Sequence, residues 1–185
     1  MFNWFAELYV SYTKVINDTA CICIAKFDYK SKKFTNESKI QLPISSNKVE
    51  KNWAFFSENE ILYCIYSLNP YRIFQYRDER KVWEELKVEQ PKLDWFHHAP
   101  ICNSTNPILV DGYYLMFFHT KERGIYFHGA VLIDKDTKEI LHYTKNSIYL
   151  KDYAQGLHNG LLYVSGCVLI NDTIRVLYGE ADSHS

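Results

Sequence analysis

Apolar and polar residues alternate in short runs along most of this chain, and the runs recur. Four segments read alike: Leu8-Tyr9-Val10-Ser11-Tyr12-Thr13, Leu62-Tyr63-Cys64-Ile65-Tyr66-Ser67, Tyr113-Tyr114-Leu115-Met116-Phe117-Phe118 and Ile174-Arg175-Val176-Leu177-Tyr178-Gly179. Each carries an aromatic or apolar residue at its first and fifth places. Turn-forming or polar residues precede each one: Ala6-Glu7, Glu58-Asn59-Glu60, Asp111-Gly112 and Asn171-Asp172. The matched second positions, 9, 63, 114 and 175, are separated by 54, 51 and 61 residues.

Further apolar runs flank these copies. Trp53-Ala54-Phe55-Phe56, Pro107-Ile108-Leu109-Val110 and Val164 to Ile170 precede the second, third and fourth. Cys21 to Phe27, Arg72 to Tyr76 and Tyr126 to Ile133 follow the first three. A polar turn then leads to a last short element such as Trp83-Glu84-Glu85-Leu86. About four short antiparallel strands per repeat of this length predict β-propeller blades. The chain is therefore read as all-β, one partial propeller over residues 1–185 with approximate repeats 1–49, 50–100, 101–150 and 151–185. A β-sandwich is the alternative for short strands at regular spacing, but it leaves the shared aromatic motif unexplained. Asp78 to Lys87 fits either a helical turn or a strand.

Composition agrees with strands. The chain has 15 Tyr, 11 Phe and 4 Trp but only 7 Gly and 5 Pro, a balance suited to pleated surfaces and poor in linkers. With 21 Lys+Arg against 22 Asp+Glu, no charge excess favours nucleic acid or an anionic membrane. No apolar stretch is long enough for a transmembrane helix. The start, Met1-Phe2-Asn3-Trp4-Phe5, lacks the pattern of a signal peptide, so a cytoplasmic location is expected. The five cysteines, Cys21, Cys23, Cys64, Cys102 and Cys167, form no C-x-x-C pair and are expected to be reduced thiols. Phosphate-binding, dinucleotide and serine-nucleophile motifs are absent, and no cofactor is expected.

Three stretches carry candidate chemistry at the strand ends that line a propeller's channel. Glu50-Lys51-Asn52-Trp53 offers a cation and an aromatic face, or else a solvated loop before a core Trp. Asn103-Ser104-Thr105-Asn106-Pro107 leads to His119, read as a strand end, and on to Tyr126-Phe127-His128. No second histidine stands at metal spacing from His119, and in His97-His98 the rings point to opposite faces, so no metal site is expected. Finally, Glu180 and Asp182 share one face of an extended strand. Glycoside cleavage needs carboxyl groups flanking the bond, so these two make a poor acid–base pair.

Taken together, Lys51-Asn52-Trp53, Tyr66-Ser67-Leu68-Asn69-Pro70, Thr105-Asn106-Pro107, Phe118-His119, His128-Gly129-Ala130 and Tyr178-Gly179-Glu180-Ala181-Asp182 resemble, in order and spacing, a known family. It is the five-bladed propeller glycosidases and phosphorylases acting on β-mannosides, glycoside hydrolase family 130 and its relatives. The resemblance implies a sugar site in a central funnel, with inorganic phosphate as co-substrate in phosphorylases. It implies that Lys51 contacts phosphate, that His119 and Tyr126 lie near phosphate, and that Asp182 lies at the sugar subsite. Asn52, Thr105 and Asn106 join the implied substrate- or phosphate-binding set. The implied partner is an oligosaccharide or glycan.

The family's general acid lies in a Glu-Asp-Pro-Arg type motif, and no such tetrapeptide occurs in this sequence. No catalytic residue is therefore assigned. The basic, double-glycine stretch before Thr-Pro is here Cys102-Asn103-Ser104-Thr105. Two functional expectations follow from the resemblance. One is a phosphorylase- or hydrolase-like propeller that is inactive alone. The other is a non-catalytic carbohydrate-binding or interaction module associated with a glycosyltransferase. A repeat of this length gives about three and a half blades in 185 residues. Such an open arc predicts homodimerisation through exposed edges.

Overall fold

Two-residue turns set the strand lengths. The computed structural model describes residues 1–45, 49–91, 93–95, 99–148 and 162–180. At Phe5-Ala6, Asn17-Asp18, Asn59-Glu60, Asp111-Gly112 and Asn171-Asp172 both residues have positive φ. Arg123 and Gly124 do the same. This left-handed pair matches the natural twist of two antiparallel strands and joins them without splaying. Asn, Asp and Gly tolerate it best, which is why these residues punctuate the sequence.

The described residues form two compact units, one of residues 1–67 and 71–87, the other of 68–70 and those from 88 onward. Each unit holds two antiparallel sheets. In the first, β1 (Phe2–Trp4), β2 (Glu7–Ile16), β3 (Thr19–Asp28) and β4 (Lys33–Lys39) pair in chain order. So do β5 (Ala54–Glu58), β6 (Ile61–Leu68), β7 (Tyr71–Arg77) and β8 (Val82–Glu85). This up-and-down order of four short strands is that of a propeller blade. Residues 78–81 form a turn, and the segment from Val82 to Glu85 is strand, so the helical reading of this stretch does not hold.

Alternation decides the first unit's core. Ile22 and Ile24 of β3, Phe55 of β5, Leu62 and Cys64 of β6, and Phe74 of β7 are all buried in one cluster. Phe2 stacks on Phe55 with ring centroids 5.6 Å apart. Each such aromatic contributes roughly 1.5–3 kcal/mol through burial. Trp53 also belongs to this core and packs on Tyr66 at 5.5 Å. It therefore does not offer an open face to a sugar. For Trp53 the core reading therefore holds, and Lys51 is exposed in the connection before it.

In the second unit β9 (Cys102–Asn103), β10 (Ile108–Val110), β11 (Tyr113–Glu122), β12 (Ile125–Asp134) and β13 (Ile140–Tyr143) form one sheet. Both β9 and β10 pair with β11. A further hairpin joins β14 (Leu162–Ile170) to β15 (Thr173–Glu180). Strand β11 is buried continuously from Tyr114 to Thr120, so it is covered on both faces. Leu115 and Phe117 pack with Val164 of β14 on one face. On the other, Phe118 meets Trp95 edge-on at 4.8 Å.

No helix among the described residues is long and apolar enough to cross a membrane. All five cysteines are free thiols. His97-His98 and Asp182 lie outside the described residues.

Candidate functional site

The β11–β12 hairpin brings the chemistry together. Its turn at Arg123-Gly124 puts His119 directly opposite His128 and Lys121 opposite Tyr126. Residues two apart on a strand share a face, so His119, Tyr126 and His128 face one side. Strand β11 continues to Glu122, so His119 is an interior position of the strand and not its end. It is 5% exposed.

Four rings close around this point. His119 lies edge-on to Tyr126 at 5.2 Å and to Tyr163 of β14 at 5.1 Å. The two tyrosine rings are 5.3 Å apart. The His128 ring is 6.3 Å from His119. Edge-to-face packing at these separations adds to simple area burial. The Lys121 ammonium stands 5.0 Å from the Tyr126 ring centroid, a cation–π contact at the cluster's margin.

Hydrogen bonds hold the imidazoles. Ser104 Oγ is 2.8 Å from His119 Nδ1. The Val164 amide donates to His128 Nε2 at 3.2 Å, so that nitrogen is an acceptor and the ring is neutral. Burial pushes the His128 pKa down to about 4, because the charged imidazolium loses its hydration there. Burial raises the Tyr163 phenol, with Tyr126 and Cys102 adding smaller contributions. Tyr126 and Tyr163 each carry a phenol hydroxyl. They are half-buried, which leaves them the outermost groups of the cluster.

The loop before β10 serves as scaffold. Thr105 Oγ1 accepts from the Phe117 amide at 3.0 Å and from Cys167 Sγ at 3.6 Å. The Ser104 amide donates to the Phe117 carbonyl at 3.0 Å. These bonds fix Ser104 under His119. Thr105 is 3% exposed and its hydroxyl is committed to this scaffold. The Asn106 carbonyl accepts from Cys167 Sγ at 3.9 Å.

Comparison with solved structures gives the fold a counterpart. A β-1,2-mannobiose phosphorylase from Listeria innocua, in complex with β-1,2-mannobiose, superposes with a TM-score of 0.69 at 20% identity. The match covers 98% of this chain and 54% of that one. A glycoside hydrolase structure from Parabacteroides distasonis matches with a TM-score of 0.68 at 15% identity, over 95% of this chain and 61% of that one. A third structure belongs to work on the GH130 family of mannoside phosphorylases, described as containing glycoside hydrolases that target β-1,2-mannosidic linkages in Candida mannan. It matches with a TM-score of 0.66 at 13% identity, over 95% of this chain and 59% of that one.

The shared feature is the fold. No protein-family model and no curated protein sequence matches this chain. The chain spans between half and two thirds of the length of these structures.

Of the residues the sequence singled out, His119 and Tyr126 come together, with Thr105 and Asn106 in the supporting loop. Lys51 and Asn52 belong to the first unit, in the connection before β5, where Asn52 has a φ of 61°. Ser104 and His128 stood in the candidate stretch without an assigned role, and Tyr163 was not among the candidates. A hairpin with a two-residue turn at 123–124 pairs positions symmetrically about it, so His128 was open to inference. Tyr163 was not, because only tertiary packing places β14 against this face. Among the described residues, no group of three or more His, Cys, Asp or Glu side chains is arranged to hold a metal ion.

Proposed function

We propose that this chain is a propeller-type carbohydrate-binding protein related to β-mannoside phosphorylases and hydrolases, and that it does not cleave glycosides by itself. The observation that carries this reading is the cluster of His119, Tyr126, His128 and Tyr163 in a fold shared with mannoside-active proteins. Two phenols, a serine hydroxyl and a positioned imidazole suit the hydroxyls of a sugar or the oxygens of a phosphate. Such convergent polar groups among aromatic walls are what small-molecule sites use for orientation.

Cleavage asks for more. A glycosidase needs a carboxylic acid to protonate the leaving oxygen, with a second carboxylate or phosphate for attack. The described cluster supplies hydroxyls and imidazoles, and no Glu-Asp-Pro-Arg occurs in the 185 residues. On the strength of the sequence resemblance alone, Lys51, Asn52 and Asp182 are kept in this proposal as substrate- or phosphate-binding residues, with inorganic phosphate as a second ligand and no other cofactor. A cytoplasmic location and pairing of two copies through open sheet edges accompany it.

Calorimetry with β-1,2-mannobiose, with and without inorganic phosphate, tests the reading. Binding is expected for the parent chain and is lost in His119→Ala and Tyr126→Ala. Absence of binding across a mannoside panel overturns the carbohydrate reading. Release of mannose or mannose 1-phosphate by the purified chain overturns the inactivity.

A further inference from the structure

The first unit holds a cleft of about 320 Å³ that the sequence did not announce. Its floor is apolar: Ile24, Ile40 and Leu62 are each at least nine-tenths buried. Its walls are aromatic. Trp4, Tyr76 and Trp83 line it, with Tyr76 edge-on to Trp4 at 5.9 Å and 5.3 Å from Trp83. The Trp4 indole N–H donates to the Glu60 carbonyl at 2.8 Å, which holds that ring in place. These rings therefore form a preset surface.

The rim has one sign of charge. Lys39 and Lys81 both line the cleft, and no carboxylate does. Both lysines are exposed, and neither makes an ion pair with a described residue. Two carboxylates on β4 and β8 are paired elsewhere. Glu37 on β4 binds Lys14 at 2.6 Å, and Glu84 on β8 binds Arg77 and Arg80 at 2.9 and 3.1 Å. Burial raises the Tyr76 phenol, and Asp78, in the turn before Lys81, is near enough to add slightly to this but does not line the cleft. Ser38 and Gln41 add polar groups to the same rim. A cleft of this size with an aromatic wall and convergent polar groups is suited to a small ligand.

We propose that this cleft binds an anionic pyranoside, a sugar unit bearing a carboxylate or a phosphate. The C–H face of the ring would lie against Trp4 and Tyr76, which are part-buried, beside the buried edge of Trp83, and the acidic group would meet Lys39 and Lys81. The inclined aromatic walls select the ring, and two cations with no ion-pair partner among the described residues select the charge. Its residues are wholly different from those around His119, so the inference stands or falls apart from the function proposed above.

The test uses the full chain and follows the indole N–H signals of its four tryptophans by NMR. Glucuronic acid, mannose 6-phosphate, neutral mannose and inorganic phosphate are titrated separately. Trp4 and Trp83 signals are expected to shift with the acidic sugars and not with neutral mannose. Lys39→Gln and Lys81→Gln, both at exposed positions, are each expected to weaken binding about 3-fold, and together about 10-fold. Binding should also weaken as salt rises. A response to glucuronic acid alone assigns a carboxylate ligand, and a response to the sugar phosphate alone assigns a phosphate ligand. The proposal is overturned if neither acidic sugar moves Trp4 and Trp83, or if neutral mannose binds as tightly. It is also overturned if inorganic phosphate alone matches the sugar phosphate, or if the double variant binds like the parent.

Discussion

Ser104 Oγ sits 2.8 Å from His119 Nδ1, across the pairing of β9 with β11. The bond leaves the rest of the imidazole turned toward Tyr126 and Tyr163. Ser104→Ala removes it and is expected to cost about 1 kcal/mol. Chemical denaturation measures that loss, and the His119 ring signals should shift in the NMR spectrum. An unchanged midpoint together with unchanged ring signals would show that the serine does not orient the ring.

Stability should depend on pH through His128. Its folded pKa is lowered to about 4, so the unfolded chain binds more protons between that value and the ordinary histidine range. The contribution is complete above about pH 6.5 and is lost as pH falls toward 4. The full effect is at most about 3 kcal/mol. His128→Gln should flatten the curve of stability against pH over this window. A curve equally steep in the variant would assign the dependence to other groups.

Gly129 opposes Phe118 in the hairpin, and a Cβ there would lie 2.3 Å from Phe118 Cζ and 2.7 Å from Thr144 Oγ1. Phe118 is held in turn by Trp95. Gly129→Ala should therefore destabilise by about 1–3 kcal/mol through overpacking. Phe118→Leu combined with Gly129→Ala should recover part of this, because the leucine withdraws the offending ring atoms. Strict additivity of the two losses in thermal unfolding would disprove the clash.

The β1–β2 turn carries unfavoured residues at both of its positions. Phe5 and Ala6 have φ of 49° and 58°, where an L side chain costs about 1–2 kcal/mol. Each of the equivalent turns places Asn, Asp or Gly in at least one of its two positions. Ala6→Gly is expected to stabilise by about 0.5–1 kcal/mol after the entropy of the unfolded chain is counted. A lower melting temperature in that variant would mean that Ala6 makes a contact worth more than the strain.

Much of the architecture was legible before any coordinates. The four recurrent aromatic segments lie in β2, β6, β11 and β15, and the flanking runs became their partners. The reason is local: a period of two sorts side chains between faces, and Asn-Asp or Asp-Gly pairs reverse the chain. The stretch from Asp78 to Lys87 stayed ambiguous because Trp83 and Leu86 suit a helical period as well as a strand. Pairing of Tyr76 with Trp83 decided it. Trp53 was open in sequence to a sugar-platform or a core reading, and burial against Tyr66 assigned it to the core.

The sequence alone thus determined an all-β chain of short antiparallel strands and where they turn, while His119 and Tyr126 were assigned to one site together only by the family resemblance. Alternation and turn chemistry act over a few residues and can be read from composition and spacing. Tertiary structure decided the rest. Tyr163 joins His119 from 44 positions away, and Lys39 and Lys81 share one rim although 42 residues separate them. Such meetings depend on how sheets pack, and no local pattern in the chain encodes them.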